Sequence, residues 1–223
     1  NLVNSTYNHP SIIGWCIGNE IGWNPYVNKY AENTIRFVKD SLDSNRLVIV
    51  ASHSASKRPD DPSGLGDFIA QNSYSNWSWD IGQIRKFQPE KPIFMTEYGQ
   101  YLIGEELNTT SNFTDIINEF RNRDYVFGAS LWTYNDYRSF HQSIRQTKNS
   151  QNRDWGVVDA YGNKKMAFDQ IRKEHAPFES MKVESTKTAY RVILTPRKKL
   201  DLPAFRLRSY RLLYEELNAV NAW

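Results

Sequence analysis

The chain has 223 residues, of which 39% are hydrophobic and 14% aromatic, enough apolar material for one large domain or for one domain and part of another. The net charge of +3 is scattered along the sequence, which argues against a nucleic-acid partner. A single cysteine, Cys16, excludes an intrachain disulfide, and no apolar run approaches the ~18 residues of a membrane span.

Five short apolar runs have the length and composition of buried strands. They lie at 12–19, 46–52, 67–75, 91–99 and 125–134. Amphipathic segments with a spacing near 3.6 residues predict helices at 25–43, 80–88, 113–123 and 164–175. Unbroken apolar strands that alternate with amphipathic helices indicate an α/β protein with a parallel sheet covered by helices.

This alternation fits a doubly wound sheet or a (β/α)8 TIM barrel, and the polar residues favour the barrel. No glycine-rich phosphate loop follows any strand, which weakens the nucleotide-binding alternative. Polar side chains instead recur where the strands end, at Asn19, Glu20, His53, Asn72, Tyr74, Glu97, Tyr98, Trp132 and Asp136. In a barrel these ends converge on one face, where active sites are built.

The composition changes after Pro177. Alternating segments around 188–195 and 205–214 are separated by a loop that contains proline and lysine, with no helical pattern between them. They predict the opening strands of an antiparallel, immunoglobulin-like β-sandwich. The predicted boundaries are therefore 1–177 for the barrel part and 178–223 for the start of the sandwich.

Two glutamates stand at the ends of predicted strands, Glu20 and Glu97. A carboxylate at the tip of a buried strand is costly unless the charge has a partner or a role. Each glutamate by itself could be an ordinary turn residue. Together, on one barrel mouth, they can cleave a glycoside, because one carboxylic acid donates a proton to the leaving oxygen while the other carboxylate attacks the anomeric carbon.

Several motifs resemble those of glycoside hydrolase family 2, the β-galactosidase and β-glucuronidase family. "NHPSIIGWCIGNE" (8–20) is similar to its acid/base signature and "IFMTEYG" (93–99) to its nucleophile strand. "QNSYSNWSW" (71–79) is similar to the segment that carries an active-site tyrosine. The remaining similarities are to the barrel-closing loop and helix, at 152–177, and to the start of the following immunoglobulin-like domain, at 202–217.

The resemblance implies a retaining hydrolase with Glu20 as acid/base and Glu97 as nucleophile. It further implies that Asn19 contacts the 2-hydroxyl of the sugar and that Tyr74 hydrogen-bonds the nucleophile. With these roles, repulsion by the charge of Glu97 is expected to raise the pKa of Glu20 and so to keep it protonated in the resting enzyme.

Other candidates have two interpretations each. Trp132 is either a stacking platform for a sugar or a core residue. Trp77 and Trp79 are predicted in a loop after the third strand, facing substrate. His53 could reach a hydroxyl or make a structural hydrogen bond, and Asp136 could orient sugar hydroxyls or brace its loop.

No cluster of His, Cys and carboxylate residues has the spacing of metal ligands, so neither a catalytic metal nor a cofactor is expected. A structural cation held by oxygen ligands stays open.

The predicted partner is a carbohydrate substrate, with neither nucleic acid nor membrane, and homo-oligomerisation of the full-length protein stays open. β-Glucuronidases of the family carry an Asn-x-Lys motif before the eighth strand, whereas the corresponding stretch here, "NSQNRDWG" (149–156), offers Arg153 and Asp154. The difference disfavours a glucuronide and favours a neutral sugar, galactose first. The alternatives are another (β/α)8 retaining hydrolase that acts on β-glucan or mannan, a β-glucuronidase, and a non-catalytic carbohydrate-binding relative.

A complete barrel has eight strands, and the sequence displays five. We therefore expect the full-length protein to contain three further βα units and a sandwich before Asn1. Residues 1–223 expressed alone are expected to be inactive and poorly folded, since open strand edges and uncovered apolar faces favour aggregation.

Overall fold

The computed structural model describes residues 2–100, 113–138, 152–198 and 201. Its main element is a parallel sheet in which each strand is hydrogen-bonded to the next one in the chain. The strands are β1 (Gly14–Asn19), β2 (Leu47–Ser52), β3 (Ile69–Ser73), β4 (Ile93–Tyr98) and β5 (Val126–Leu131). The five predicted strands are thus confirmed. Sequential order without a reversal is the order of a (β/α)8 barrel, whereas a doubly wound sheet reverses at a switch point.

The helices are α1 (Leu2–Thr6), α2 (Pro25–Phe37), α3 (Trp77–Phe87), α4 (Phe113–Arg121) and α5 (Ala167–Glu174). The start of α2 is fixed by Asn24, whose Oδ1 accepts hydrogen bonds from the backbone N–H groups of Tyr26 at 2.9 Å and Val27 at 3.0 Å. This helix continues as a π-helical turn, Val38–Leu42, and a 3₁₀ turn, Pro62–Leu65, precedes β3. None of the described helices is long and apolar enough to cross a membrane.

Two apolar clusters join the sheet to its helices. The larger cluster connects the later strands with α3, α4 and α5, and its fully buried members include Ile69, Ile84, Ile93, Met95 and Phe120. The smaller cluster connects β1 and β2 with α2. Because side chains alternate along a strand, the residue between Ile93 and Met95 points to the other face.

That other face carries an aromatic cluster. The ring of Phe127 lies 5.0 Å from that of Phe68 and 5.4 Å from that of Phe94, both edge-on. Residue 128, next to this cluster, must be a glycine, because a Cβ atom on it would lie 2.2 Å from the Phe94 ring. The two faces of the sheet therefore have separate apolar packing, as the barrel prediction requires.

Two antiparallel pairs follow the parallel sheet. The short strands β6 (Tyr137–Arg138) and β7 (Asn152–Arg153) pair with each other, and β8 (Phe178–Ser185) pairs with β9 (Tyr190–Pro196). The strand predicted at 188–195 is confirmed as β9. The strand predicted at 205–214 lies outside the described residues, and the domain boundary at Pro177 stays a prediction. Sequence analysis missed β8, because its charged residues interrupt the apolar alternation.

Candidate active site

The carboxyl ends of three strands bring four of the predicted residues to one edge of the sheet. Asn19 is the last residue of β1, and Glu20 follows it directly. Asn72 in β3 is in register with Glu97 in β4. The parallel sheet therefore places an amide or a carboxyl group at each of these strand ends, as the sequence predicts.

Asn72 connects this group of residues. It is buried, and its Nδ2 donates hydrogen bonds to Asn19 Oδ1 and to Glu20 Oε1, both at 3.0 Å. Its Oδ1 accepts a hydrogen bond of 2.8 Å from the hydroxyl of Thr96. Because a hydroxyl donor occupies the amide oxygen, the nitrogen must face Glu20. Sequence analysis did not single out Thr96, since a threonine inside a strand has no distinguishing pattern.

Glu20 has an unusual backbone and a second polar neighbour. Its φ is 52°, in the left-handed region, and its backbone N–H donates to the carbonyl of Ala51 at 2.9 Å. His53 Nδ1 lies 3.8 Å from Glu20 Oε2, and both side chains are partly exposed. The structure thus places the imidazole of His53 beside the carboxyl group of Glu20. A partly exposed carboxyl with fixed neighbours can exchange protons with a ligand or with water.

Glu97 is less exposed than Glu20 and has a phenolic partner. The hydroxyl of Tyr74 donates a hydrogen bond to Glu97 Oε2. Burial raises the pKa of Glu97, the Tyr74 hydrogen bond opposes this rise, and the charge of Glu20 adds to it. Burial and the neighbouring Glu97 raise the pKa of Tyr74. The phenol therefore stays protonated and serves as a donor to a desolvated carboxylate.

Trp132 lies one residue beyond β5, at the same edge of the sheet. Its backbone N–H donates to the carbonyl of Tyr98 at 2.8 Å, and its indole N–H donates to the Tyr137 hydroxyl at 3.2 Å. The indole is partly exposed and lines an open depression with Thr133, Asn135 and Tyr137. An exposed aromatic ring beside a depression is suited to stacking against an apolar face of a ligand.

The structure corrects the prediction for Trp77. Helix α3 begins at Trp77, three residues before the predicted start, so Trp77 and Trp79 are helical and not in a loop. The Trp77 indole donates to the carbonyl of Ser73 at 3.0 Å and packs against the larger apolar cluster. Its substrate-facing interpretation is therefore wrong, because the ring serves the packing of the helix on the sheet.

For Asp136 the structure favours the bracing alternative over contact with a sugar. The buried carboxylate forms an ion pair with Lys165, at 2.7 Å from Oδ2 and 2.8 Å from Oδ1. Its Oδ1 also accepts a hydrogen bond of 2.8 Å from the backbone N–H of Gly156. Because both oxygens are bonded to the protein, Asp136 holds the chain before and after β6 and β7, and its role as a substrate contact is not supported.

Within residues 2–100, 113–138, 152–198 and 201, the structure has no group of three or more His, Cys, Asp or Glu side chains that could hold a metal ion.

Comparison with known proteins gives one family match. Residues 1–173 match the TIM barrel domain of glycosyl hydrolases family 2. Among curated proteins, the chain is 27% identical to the β-glucuronidase of Rattus norvegicus over 202 residues, which covers 78% of this chain and 30% of that protein. It is 25% identical to the β-glucuronidase of Streptococcus agalactiae serotype V over 206 residues, covering 74% of this chain and 34% of the relative. The chain thus spans about a third of the length of these relatives.

Solved structures with the same fold include two further enzymes. The family 2 β-galacturonidase of Eisenbergiella tayi, bound to galacturonate, aligns with a TM-score of 0.64 and 20% identity, covering 76% of this chain and 34% of that one. The β-glucuronidase of Ruminococcus gnavus aligns with a TM-score of 0.64 and 17% identity, covering 77% and 34%. At these identities the alignments establish the fold.

Proposed function

We propose that this chain, which belongs to glycosyl hydrolase family 2, supplies both carboxyl groups of a retaining β-glycosidase. The observation that supports this proposal most strongly is the bridge by Asn72, which hydrogen-bonds Glu20 from a strand position in register with Glu97. Two carboxyl groups at the same edge of one parallel sheet, close enough to act on one substrate position, are the requirement for glycoside cleavage by double displacement.

In the first step the carboxylate of Glu97 attacks the anomeric carbon, and the bond from that carbon to the leaving oxygen breaks. Glu20 donates its proton to the leaving oxygen, so the leaving group departs as a neutral alcohol and Glu20 becomes a carboxylate. The product of this step is an ester between Glu97 and the sugar. Tyr74 holds the attacking carboxylate through its hydroxyl.

In the second step Glu20 acts as a base. Its carboxylate removes a proton from a water molecule as that water attacks the anomeric carbon, and the ester bond to Glu97 breaks. The sugar leaves with the anomeric configuration of the substrate, because two inversions have occurred. Both glutamates return to their starting protonation states.

Asn19 is proposed to bind a hydroxyl of the sugar. The Oδ1 atom of Asn19 accepts the hydrogen bond from Asn72. The Nδ2 atom of Asn19 therefore points away from Asn72 and can donate a hydrogen bond to the ligand. A hydrogen bond to the 2-hydroxyl that strengthens as positive charge develops at the anomeric carbon lowers the barrier. Trp132 is proposed to stack on the same sugar.

The sugar that enters this site has two candidates. The departure from the Asn-x-Lys motif favours a neutral β-galactoside. A β-uronide is the second candidate, because the relatives described above are named as β-glucuronidases and a β-galacturonidase. In addition, Arg153 lies near the Trp132 depression, with its guanidinium carbon 5.5 Å from the Tyr137 ring centroid. Among the described residues Arg153 Nε is buried and has no hydrogen-bond partner, and we propose this N–H as a donor to the carboxylate of a uronide.

Two substrates that carry different sugars on the same leaving group test the proposed reaction and the choice of sugar in one experiment. The protein that carries this chain should cleave an aryl β-galactoside or the matching aryl β-glucuronide, and the first product seen by NMR should retain the β configuration. If the uronide is preferred, Arg153→Gln should lower its kcat/KM by roughly 10- to 100-fold and leave the galactoside unaffected, since a charge-assisted hydrogen bond contributes about 1.5–3 kcal/mol. Cleavage of polymeric glucan or mannan alone, or an inverted product, contradicts the proposal.

The hydroxyl of Tyr74 is expected to set the acid limb of the pH profile. Tyr74→Phe removes a hydrogen bond that lowers the pKa of Glu97, so this pKa should rise. Glu97 must be ionised to attack, and a higher pKa requires a higher pH for ionisation. The acid limb of kcat/KM should therefore move to higher pH. The control, Tyr161→Phe, makes the same change at an exposed residue and should leave the limb in place; an unmoved limb in Tyr74→Phe contradicts the assignment.

Thr96 is expected to position the acid through Asn72. Thr96→Val keeps the shape of the side chain but removes the donor to Asn72 Oδ1, so the amide can rotate away from Glu20. We expect kcat/KM to fall on the order of tenfold for poor leaving groups and much less for activated ones, because only the former need the proton. Thr96→Ser should restore activity. A loss that is equal for all leaving groups would indicate a purely structural role.

A further inference from the structure

One exposed aromatic residue next to Glu20 has no place in the proposed chemistry so far. Trp23 lies three residues after Glu20, in the connection between β1 and α2, and 47% of its surface is exposed. Three residues span at most about 10 Å of chain, so the indole lies on the rim of the site on the Glu20 side. A single exposed aromatic ring is common on protein surfaces, so the groups that hold this ring and the residues beside it decide its role.

A guanidinium group holds this ring in position. The Cζ atom of Arg58 lies 3.2 Å from the centroid of the Trp23 ring, and the guanidinium is held by Asp60 through a hydrogen bond of 3.1 Å from Nε to Oδ1. Asn28 in α2 donates a hydrogen bond of 2.9 Å to the carbonyl of Asp60. The two hydrogen bonds, from Arg58 to Asp60 and from Asn28 to Asp60, therefore hold the stacked pair in place. The carboxylate of Asp60 also offsets the charge of Arg58.

The connection that carries Arg58 also reaches the acid. It follows β2 and includes His53, whose Nδ1 lies 3.8 Å from Glu20 Oε2. Trp23 from one connection and Arg58 from the next thus form a platform beside Glu20. Of the sugar-binding residues proposed above, Trp132 follows another strand, β5, whereas Asn19 is the last residue of β1 and precedes Glu20 directly.

The position of the acid determines which part of the substrate lies on this side of the site. An acid that protonates the leaving oxygen must lie within hydrogen-bonding distance, about 3 Å, of that oxygen. The remainder of the leaving group must therefore extend past Glu20, over the adjacent rim. A ring with an apolar face, such as a pyranose or an aryl group, can cover the indole, and the near-neutral pair of Arg58 and Asp60 selects no charge.

We propose that Trp23 and Arg58 form the leaving-group subsite of this enzyme and bind a ring-containing aglycone by stacking. The proposal rests on the proposed function, because it takes Glu20 as the acid. It predicts that the platform contributes to substrates with a second sugar or an aryl group and contributes nothing to a methyl glycoside of the same sugar.

The test compares three glycosides of the sugar that the wild-type protein cleaves faster: a methyl glycoside, a phenyl glycoside and a disaccharide. Trp23→Ala should lower kcat/KM on the order of tenfold or more for the ring-containing substrates and leave the methyl glycoside within about twofold of wild type. Arg58→Lys keeps the charge but loses the planar stack, so it should produce a smaller loss in the same direction. The matched control is Tyr30→Ala, which removes another half-exposed aromatic ring, on α2.

Each outcome separates the subsite from the proposed function. Losses that are equal for all three glycosides, or no loss for either the phenyl glycoside or the disaccharide in Trp23→Ala, overturn the subsite and leave the acid and nucleophile assignments standing. A loss for the disaccharide alone supports a sugar acceptor site, and a loss for the phenyl glycoside alone supports an aryl site. A wild-type protein that cleaves none of the three overturns the proposed function, and the subsite with it.

Discussion

Glu97→Gln is expected to abolish turnover, with kcat lowered on the order of 10⁵-fold for every β-glycoside. The amide keeps the shape of the side chain and can still accept the hydrogen bond from Tyr74, but it cannot form the ester with the anomeric carbon. The leaving group does not matter here, since no other group can replace the nucleophile. Initial rates with a dinitrophenyl glycoside measure the loss, and a thermal melt checks that the variant is folded.

Adding a small external nucleophile tests the role of Glu97 more directly. Glu97→Ala leaves space where the carboxylate was, so added azide should restore cleavage of the dinitrophenyl glycoside and yield a glycosyl azide with inverted configuration. Glu119→Gln is the matched control, because Glu119 lies on the outer surface of α4 in an exposed pair with Arg123. It should be close to wild type. Retention of more than about 1% of activity in Glu97→Gln contradicts the assignment.

Glu20→Ala is expected to divide substrates by the acidity of their leaving groups. For a methyl glycoside or a disaccharide, kcat/KM should fall by about 10³- to 10⁴-fold, because the alkoxide cannot leave without a proton. For a dinitrophenyl glycoside, whose leaving group needs no proton, the formation of the glycosyl ester should be much less affected. The measurement is kcat/KM across a series of phenols of known pKa, and the dependence on that pKa should steepen in the variant.

The second half of the reaction gives an independent check on Glu20. Without a base, water attacks the ester slowly, so the ester should accumulate and a burst of phenol should precede a slow steady state. Azide needs no deprotonation, and it should therefore speed the steady state and give a glycosyl azide of retained configuration. Equal losses for methyl and dinitrophenyl glycosides would assign the proton transfer to another residue.

The fold and the principal pair of carboxyl groups could be predicted from the sequence because both depend on local patterns. An apolar run that ends in Asn19 and Glu20, and another that ends in Glu97, are visible without any knowledge of their neighbours in space. The parallel order of the strands then follows from their alternation with helices. These features were predicted from residue spacing and strengthened by the resemblance to family 2.

The residues that were missed or misplaced depend on contacts between distant parts of the chain. Thr96 matters only because β3 and β4 are adjacent, and Asp136 is occupied only because Lys165 returns to it from 29 positions further along the chain. Trp77 was assigned to a loop because its neighbours are polar, whereas its indole closes the first turn of α3 against Ser73.

The burial of each carboxyl group is a further property that the sequence does not reveal. Sequence analysis placed the raised pKa on Glu20, although the repulsion between two carboxylates acts equally on both groups. The structure adds burial of Glu97, the largest contribution to the raised pKa of that residue. The expectation for Glu20 stays a prediction, to be tested by the alkaline limb of the pH profile.

The left-handed backbone conformation of Glu20 lowers the stability of the folded protein. A side chain other than glycine, asparagine or aspartate is disfavoured at a φ of 52°, at a cost of about 1–2 kcal/mol. Glu20→Gly should therefore unfold at a higher temperature than the wild type while it loses proton transfer. Higher thermal stability together with lost proton transfer in Glu20→Gly is the outcome expected if this strained position serves the proposed chemistry.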